Sequence, residues 1–288
     1  IYFILFELTL FLQFALCLHH AWKHGTANVM RLSAGVLFGV MLELATIRQI
    51  RAYEYGQFLI MVWDVPLCIG VAWSAILYSV MEFSDASSIS YWVRPILDGL
   101  LALNIDLALD AVAIRFGFWD WGLGPDFQYF GVPYANFWAW FWVVSSFSMG
   151  YRILARRNDW IGVWISPILA LVVGLAGVLG TNALIVFGFP PALRTPIIFT
   201  TLALALIITL LLRPRFHLRS VPPLVFWIPF LTHAYVLIAG LIAGIFLDLP
   251  ILFWVGLLMF GLATYWHRHT IIDIRESVGQ MFRQRSHT

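Results

Sequence analysis

Apolar stretches long enough to cross a bilayer recur along this chain, and few architectures can house them. The stretch 160–187 holds no charged residue at all. A spanning helix needs about 20 predominantly apolar residues. Nine stretches approach that length: 1–18, 29–47, 58–80, 92–114, 134–154, 160–187, 193–212, 224–246 and 251–266. Their continuity rules out a transmembrane β-barrel, whose strands alternate apolar and polar residues over shorter segments. Charged residues make up only 11% of the chain, against about 25% in soluble domains. So few charges cannot cover a water-facing surface, and a net charge of +2 offers nothing to a nucleic acid. The sequence therefore predicts an all-α polytopic transmembrane bundle of eight or nine spans, one domain over 1–266, with a polar tail at 267–288.

Arginines cluster between the spans. Arg152, Arg156 and Arg157 share one loop, Arg213, Arg215 and Arg219 another, and Arg268, Arg275, Arg283 and Arg285 lie in the tail. With nine spans these segments share a side, which the positive-inside rule makes cytoplasmic. The loop 84–91 falls on that side too, yet carries Asp85 and no base. Cys17 and Cys68 lie within apolar stretches and have no metal-site spacing.

Ionisable residues inside spans are costly and usually have a function. The acidic ones here are Glu7, Glu43, Asp64, Asp98, Asp106 and Asp110, with Asn104, Asn182 and His233 as neutral companions. At about 100° per residue, Asp98, Asp106 and Asp110 fall on one face of the fourth span. Depth gives a second convergence. Glu43 ends the second span, Asp64 begins the third, Asp106 and Asp110 end the fourth, and Asn136 begins the fifth. Alternation of spans alone sets all five at similar depth beneath one side of the membrane. The segment linking the fourth and fifth spans carries Trp119, Trp121 and Tyr129 among glycines and prolines, then runs into Trp138 and Trp140. Such a segment makes a poor helix and a poor solvated loop, and is read as an aromatic lid over the acids.

Carboxylic acids in apolar surroundings keep their protons at neutral pH, because desolvation penalises the charged form. Aromatic faces attract cations. An acid beside an aromatic box suits protonation of a carbon–carbon double bond and shelter of the resulting carbocation. Admitting water then gives an alcohol. Substrates whose double bonds reside in the bilayer are polyisoprenoids, carotenoids, quinones and sterols.

From Glu43 to Trp140 the residues resemble the carotenoid-biosynthesis membrane family typified by the CruF hydratases. The resemblance rests on Glu43 with Tyr53 and Tyr55, on Asp64-Val-Pro66 with Trp73, and on the Asp106/Asp110 pair. It continues in Gly117-Phe-Trp119-Asp-Trp121, Tyr129-Phe-Gly-Val-Pro133 and Asn136-Phe-Trp-Ala-Trp140. The chain departs from that pattern at Ala111 and Ala139. The resemblance implies a cofactor-free hydratase that adds water to the terminal double bond of an acyclic carotenoid. On this reading Asp106, Asp110, Glu43 and Asp64 are the catalytic candidates and no metal is needed. Tyr55, Trp119, Trp121, Tyr129, Asn136, Trp138 and Trp140 are the substrate-binding candidates. The partners expected are a carotenoid or polyisoprenoid within the bilayer, lipids and other membrane subunits, in a bacterial or archaeal cytoplasmic or photosynthetic membrane.

Other classes fit less well. A UbiA-type prenyltransferase needs magnesium and a second acidic motif, and the sixth and seventh spans hold no acid. His20 and His24 have the spacing of two metal ligands, but the eight histidines do not form the several boxes of a di-iron oxygenase. A transporter would show repeats with matching broken helices. A non-catalytic carotenoid- or chlorophyll-binding subunit remains the principal alternative, with His233 as a candidate chlorin ligand.

Overall fold

A computed structural model describes residues 1–216, 221–268 and 271. Nine long helices form the bundle among the described residues: α1 (Tyr2–Lys23), α2 (Thr26–Ala45), α3 (Leu67–Asp85), α4 (Arg94–Ala113), α5 (Tyr134–Leu154), α6 (Ser166–Phe187), α7 (Pro191–Leu211), α8 (Pro223–Ile242) and α10 (Pro250–Trp266). A single turn, α9 (Ile245–Asp248), precedes the last. Each expected span corresponds to one long helix. Six are long and apolar enough to cross a membrane on composition alone. The polar helices α4 and α5 lie inside the bundle, with α4 packed against α3, α5, α7, α8 and α10. The protein is a polytopic helical membrane bundle. The polar tail expected at 267–288 lies, beyond His267, Arg268 and Ile271, outside the described residues.

The third span begins later than its hydropathy suggests. Proline disfavours the helical conformation in the residue before it, and the helix starts only after Pro66. The apolar residues ahead of it form a small hairpin, β2 (Met61–Val62) with β3 (Val65–Pro66). A second two-stranded ladder joins loops distant in sequence. It pairs β1 (Glu54–Tyr55) antiparallel with β4 (Trp119–Asp120), setting Tyr55 opposite Trp119.

Close helix contacts depend on small residues, as is usual in membranes. A Cβ on Gly39 of α2 would come within 2.8 Å of the Trp73 Cβ. One on Gly99 of α4 would come within 2.4 Å of Ser145 Oγ on α5. These two positions let α2 meet α3, and α4 meet α5, near the polar residues described next.

The three aspartates of α4 all turn toward α5, which runs antiparallel. Asp98 therefore meets the end of α5, and Asp106 and Asp110 meet its start. Asp98 accepts from Ser148 Oγ at 2.5 Å and from Arg152 Nη2 at 3.2 Å. Arg152 also binds Asp85 at 2.5 Å, and Arg94 binds the same carboxylate at 2.8 Å. The loop 84–91, which carries no base of its own, is met by Arg94 from α4 and by Arg152 from α5.

Candidate active site

Beneath the β1–β4 ladder lies a cavity of about 730 Å³. Its polar wall has two halves. In the first, Glu43, at the end of α2, is buried and accepts three side-chain hydrogen bonds. Trp73 Nε1 donates to Oε1 at 2.7 Å, and Tyr55 Oη donates to Oε2 at 2.8 Å. Tyr53 Oη donates to the same Oε2. Burial, with the Glu43 carboxylate beside them, pushes both loop phenols well above their ordinary range. They therefore stay protonated and keep donating.

In the second half, Asn136 at the start of α5 bridges two carboxyls with one amide nitrogen. Nδ2 lies 2.7 Å from Asp110 Oδ2 and 3.1 Å from Asp106 Oδ1. The one-turn separation of the aspartates on α4 makes the bridge possible. Asp110 lines the cavity, and its Oδ1 accepts no hydrogen bond among the described residues. Asp106 is wholly buried behind it.

Aromatic rings complete the chamber. Trp119, Trp121 and Trp140 line it. Trp121 packs edge-on to Tyr53 with centroids 5.6 Å apart, and Trp140 tilts against Trp73 at 4.5 Å. Arg115 holds the lid from beneath, donating to Ala111 O at 2.7 Å, Phe130 O at 2.8 Å and Pro125 O at 3.1 Å. One edge of the cavity opens toward lipid beside the exposed Phe187 and Leu123.

The structure brings together Glu43, Asp106, Asp110, Asn136, Tyr55, Trp119, Trp121 and Trp140. Three expected residues stand apart. Asp64 is at the tip of the β2–β3 hairpin, where it pairs with Arg48 at 2.8 Å. Both side chains are more than half exposed. The late helix start after Pro66 places this carboxylate outside the bundle. Trp138 packs with Ile185, Ile198 and Trp142 rather than on the cavity. It lies two residues from Trp140, about 200° around the helix. Tyr129 donates to Leu107 O at 2.8 Å and faces a different space.

Residues not anticipated as site members also take part. Tyr53 and Trp73 grip Glu43, while Phe6 and Gln13 of α1 and Thr232 of α8 close the far end. Only α1 and α8 packing against α3 reveals these last three, and no local motif marks them. His233 contacts Asn104 Oδ1 through Nε2 at 3.1 Å, away from this cavity. Among the described residues no group of three His, Cys, Asp or Glu lies close enough to hold a metal ion.

The family model described as carotenoid biosynthesis protein matches residues 1–211. That range contains α1 to α7 and every polar residue of the two half-walls. No curated protein and no solved structure matches the chain. A match over that much of its length means that the chain belongs to the carotenoid biosynthesis protein family.

Proposed function

We propose that this member of the carotenoid biosynthesis family is a hydratase that adds water across a terminal isoprenoid double bond, without a cofactor. The observation that carries the reading is the Asn136 bridge between Asp106 and Asp110, set in an aromatic chamber opposite Glu43. In the proposed reaction Asp110 protonates the less substituted alkene carbon. The C–H bond forms as the π bond breaks, leaving a tertiary carbocation. Trp119, Trp121 and Trp140 present their faces to that cation. Glu43, held by three donors, presents a fixed carboxyl that orders the incoming water. Water attacks the cation, the C–O bond forms, and the oxonium proton returns to the aspartate pair. Asp106 and Asn136 hold Asp110 in place throughout. The substrate is a carotenoid or related polyisoprenoid that enters from the bilayer of a bacterial or archaeal carotenoid-making cell.

The test is expression in a host that makes lycopene, followed by chromatography of the pigments. A more polar, singly or doubly hydroxylated product is expected. Unchanged lycopene that co-purifies with the protein would instead favour a pigment-binding subunit.

A further inference from the structure

A second space runs beside the acid chamber at the level of Tyr134 and Phe137 and continues past the point where the chamber ends. Along α3 the chamber is lined by Ile69, Trp73 and Ile76. A space of about 980 Å³ takes over less than one turn later at Ser79 and continues to Phe83. Along α4 the chamber runs from Asp110 to Ile105, and the second space runs from Leu107 past Ile105 to Leu97. On α8 the step is from Thr232 to Pro229. Along α3 and α8 the second space continues the line of the chamber, along α4 the two overlap, and Ile105, itself buried, lines both.

The dimensions matter. At about 1.5 Å per residue, Ile69 to Ile76 covers only on the order of 10 Å, whereas Ile69 to Phe83 covers on the order of 20 Å. The chamber alone admits an end group and a short length of chain. The second space suits the rest of an extended hydrocarbon. Its one amide, Asn104, is already engaged by Met259 O at 3.1 Å and by His233. It opens toward lipid between α7 and α10, where Leu206, Leu210 and Leu262 are exposed.

We propose that the two spaces form one path for an extended linear polyisoprenoid, with its reacting end at Asp110 and its remainder beyond Ile105. Ile105 is then the specificity-determining residue for chain length. This rests on the reading of the acid chamber as a site for an alkene end group.

Two variants test the path. Ile105→Trp fills the shared position. Ala203→Trp enters the second space from an exposed position on α7 and leaves the acid chamber untouched. Each is compared with the unaltered chain for hydration of lycopene and of a short acyclic isoprenoid alkene, and for lycopene retained through purification. Folding is checked by size-exclusion chromatography. Both variants should lose about tenfold or more in lycopene conversion and retention, the scale of an overpacked site, and Ala203→Trp, which lies outside the acid chamber, should keep the short substrate. If Ile105→Trp does not fold, Ala203→Trp decides alone. Undiminished lycopene retention and conversion in folded Ala203→Trp would overturn the path, and so would equal losses on both substrates in that variant. Failure of the unaltered chain to hydrate either alkene counts against the alkene reading instead, and the retention measurement then decides the path.

Discussion

The Trp73 indole donates to Glu43 Oε1 at 2.7 Å while its ring tilts against Trp140 with centroids 4.5 Å apart. One side chain therefore ties the carboxylate to the aromatic wall that faces it. Trp73 is packed against Gly39, where no Cβ fits, so its position follows from the close approach of α2 and α3. The orientation of Glu43 is thus set by helix packing as well as by its loop tyrosines.

This arrangement predicts that Trp73→Phe keeps the ring packing but leaves Glu43 Oε1 without its donor. An unsatisfied buried acceptor costs about 1–3 kcal/mol. Turnover should fall by roughly tenfold or more at saturating substrate, with little change in pigment retained. Tyr53→Phe and Tyr55→Phe should act in the same direction. Because both phenols are held above their ordinary range, the rate should show no alkaline break at the ordinary tyrosine value of about 10. A break there in the unaltered protein, absent in Tyr55→Phe, would contradict the assignment.

Asp110 and Asp106 differ in access, and their variants should differ accordingly. Asp110→Asn removes the carboxyl that lines the chamber and should lower hydration by about 10²–10⁴, the usual contribution of a general acid. Pigment should still co-purify, since the chamber keeps its shape. Asp106→Asn alters a wholly buried partner, bonded to the bridging amide and outside the chamber lining, and a smaller loss is expected. Product quantified per folded protein checks both. Equal hydration by Asp110→Asn and the unaltered chain would remove Asp110 from the reaction.

Asp64 offers the opposite expectation. Its side chain is 55% exposed and pairs with an equally exposed Arg48. Such pairs are worth about 0–1 kcal/mol. Asp64→Asn should leave both hydration and thermal stability near those of the unaltered chain. A severe loss of hydration in a stably folded Asp64→Asn would return this residue to the site.

Asp64 also marks what the sequence could convey. Span alternation brought Glu43, Asp110 and Asn136 to one depth, because chain direction alone determines it. The same argument misplaced Asp64, since hydropathy extends the third span to 58 while Pro66 delays the helix to Leu67. Helical periodicity placed Asp98, Asp106 and Asp110 on one face. It did not show that the antiparallel partner gives Asp98 an arginine and the other two an asparagine. Trp138 and Trp140 stood together in the sequence, yet rotation about α5 sends them to different neighbours. Gln13 and Thr232 meet at 2.8 Å across more than two hundred residues, a closeness that only tertiary packing supplies.

The ion pair at the other end of α4 predicts a stability effect without a catalytic one. Arg152 is 2% exposed and Asp98 is wholly buried, and Asp98 Oδ1 has no further partner among the described residues. Arg152→Ala strands the Asp98 carboxylate in the bundle and leaves Asp85 with Arg94 alone. Breaking a buried pair from one side costs about 3–5 kcal/mol, so this variant should accumulate poorly and aggregate at lower temperature in detergent. Removing the charge from both sides, with Arg152→Met and Asp98→Asn together, should recover much of that loss, because the penalty belongs to the lone charge. Thermal aggregation midpoints of the single and double variants measure the difference. A double variant no more stable than Arg152→Ala would mean that the damage comes from lost packing of the arginine stem, and not from the stranded carboxylate.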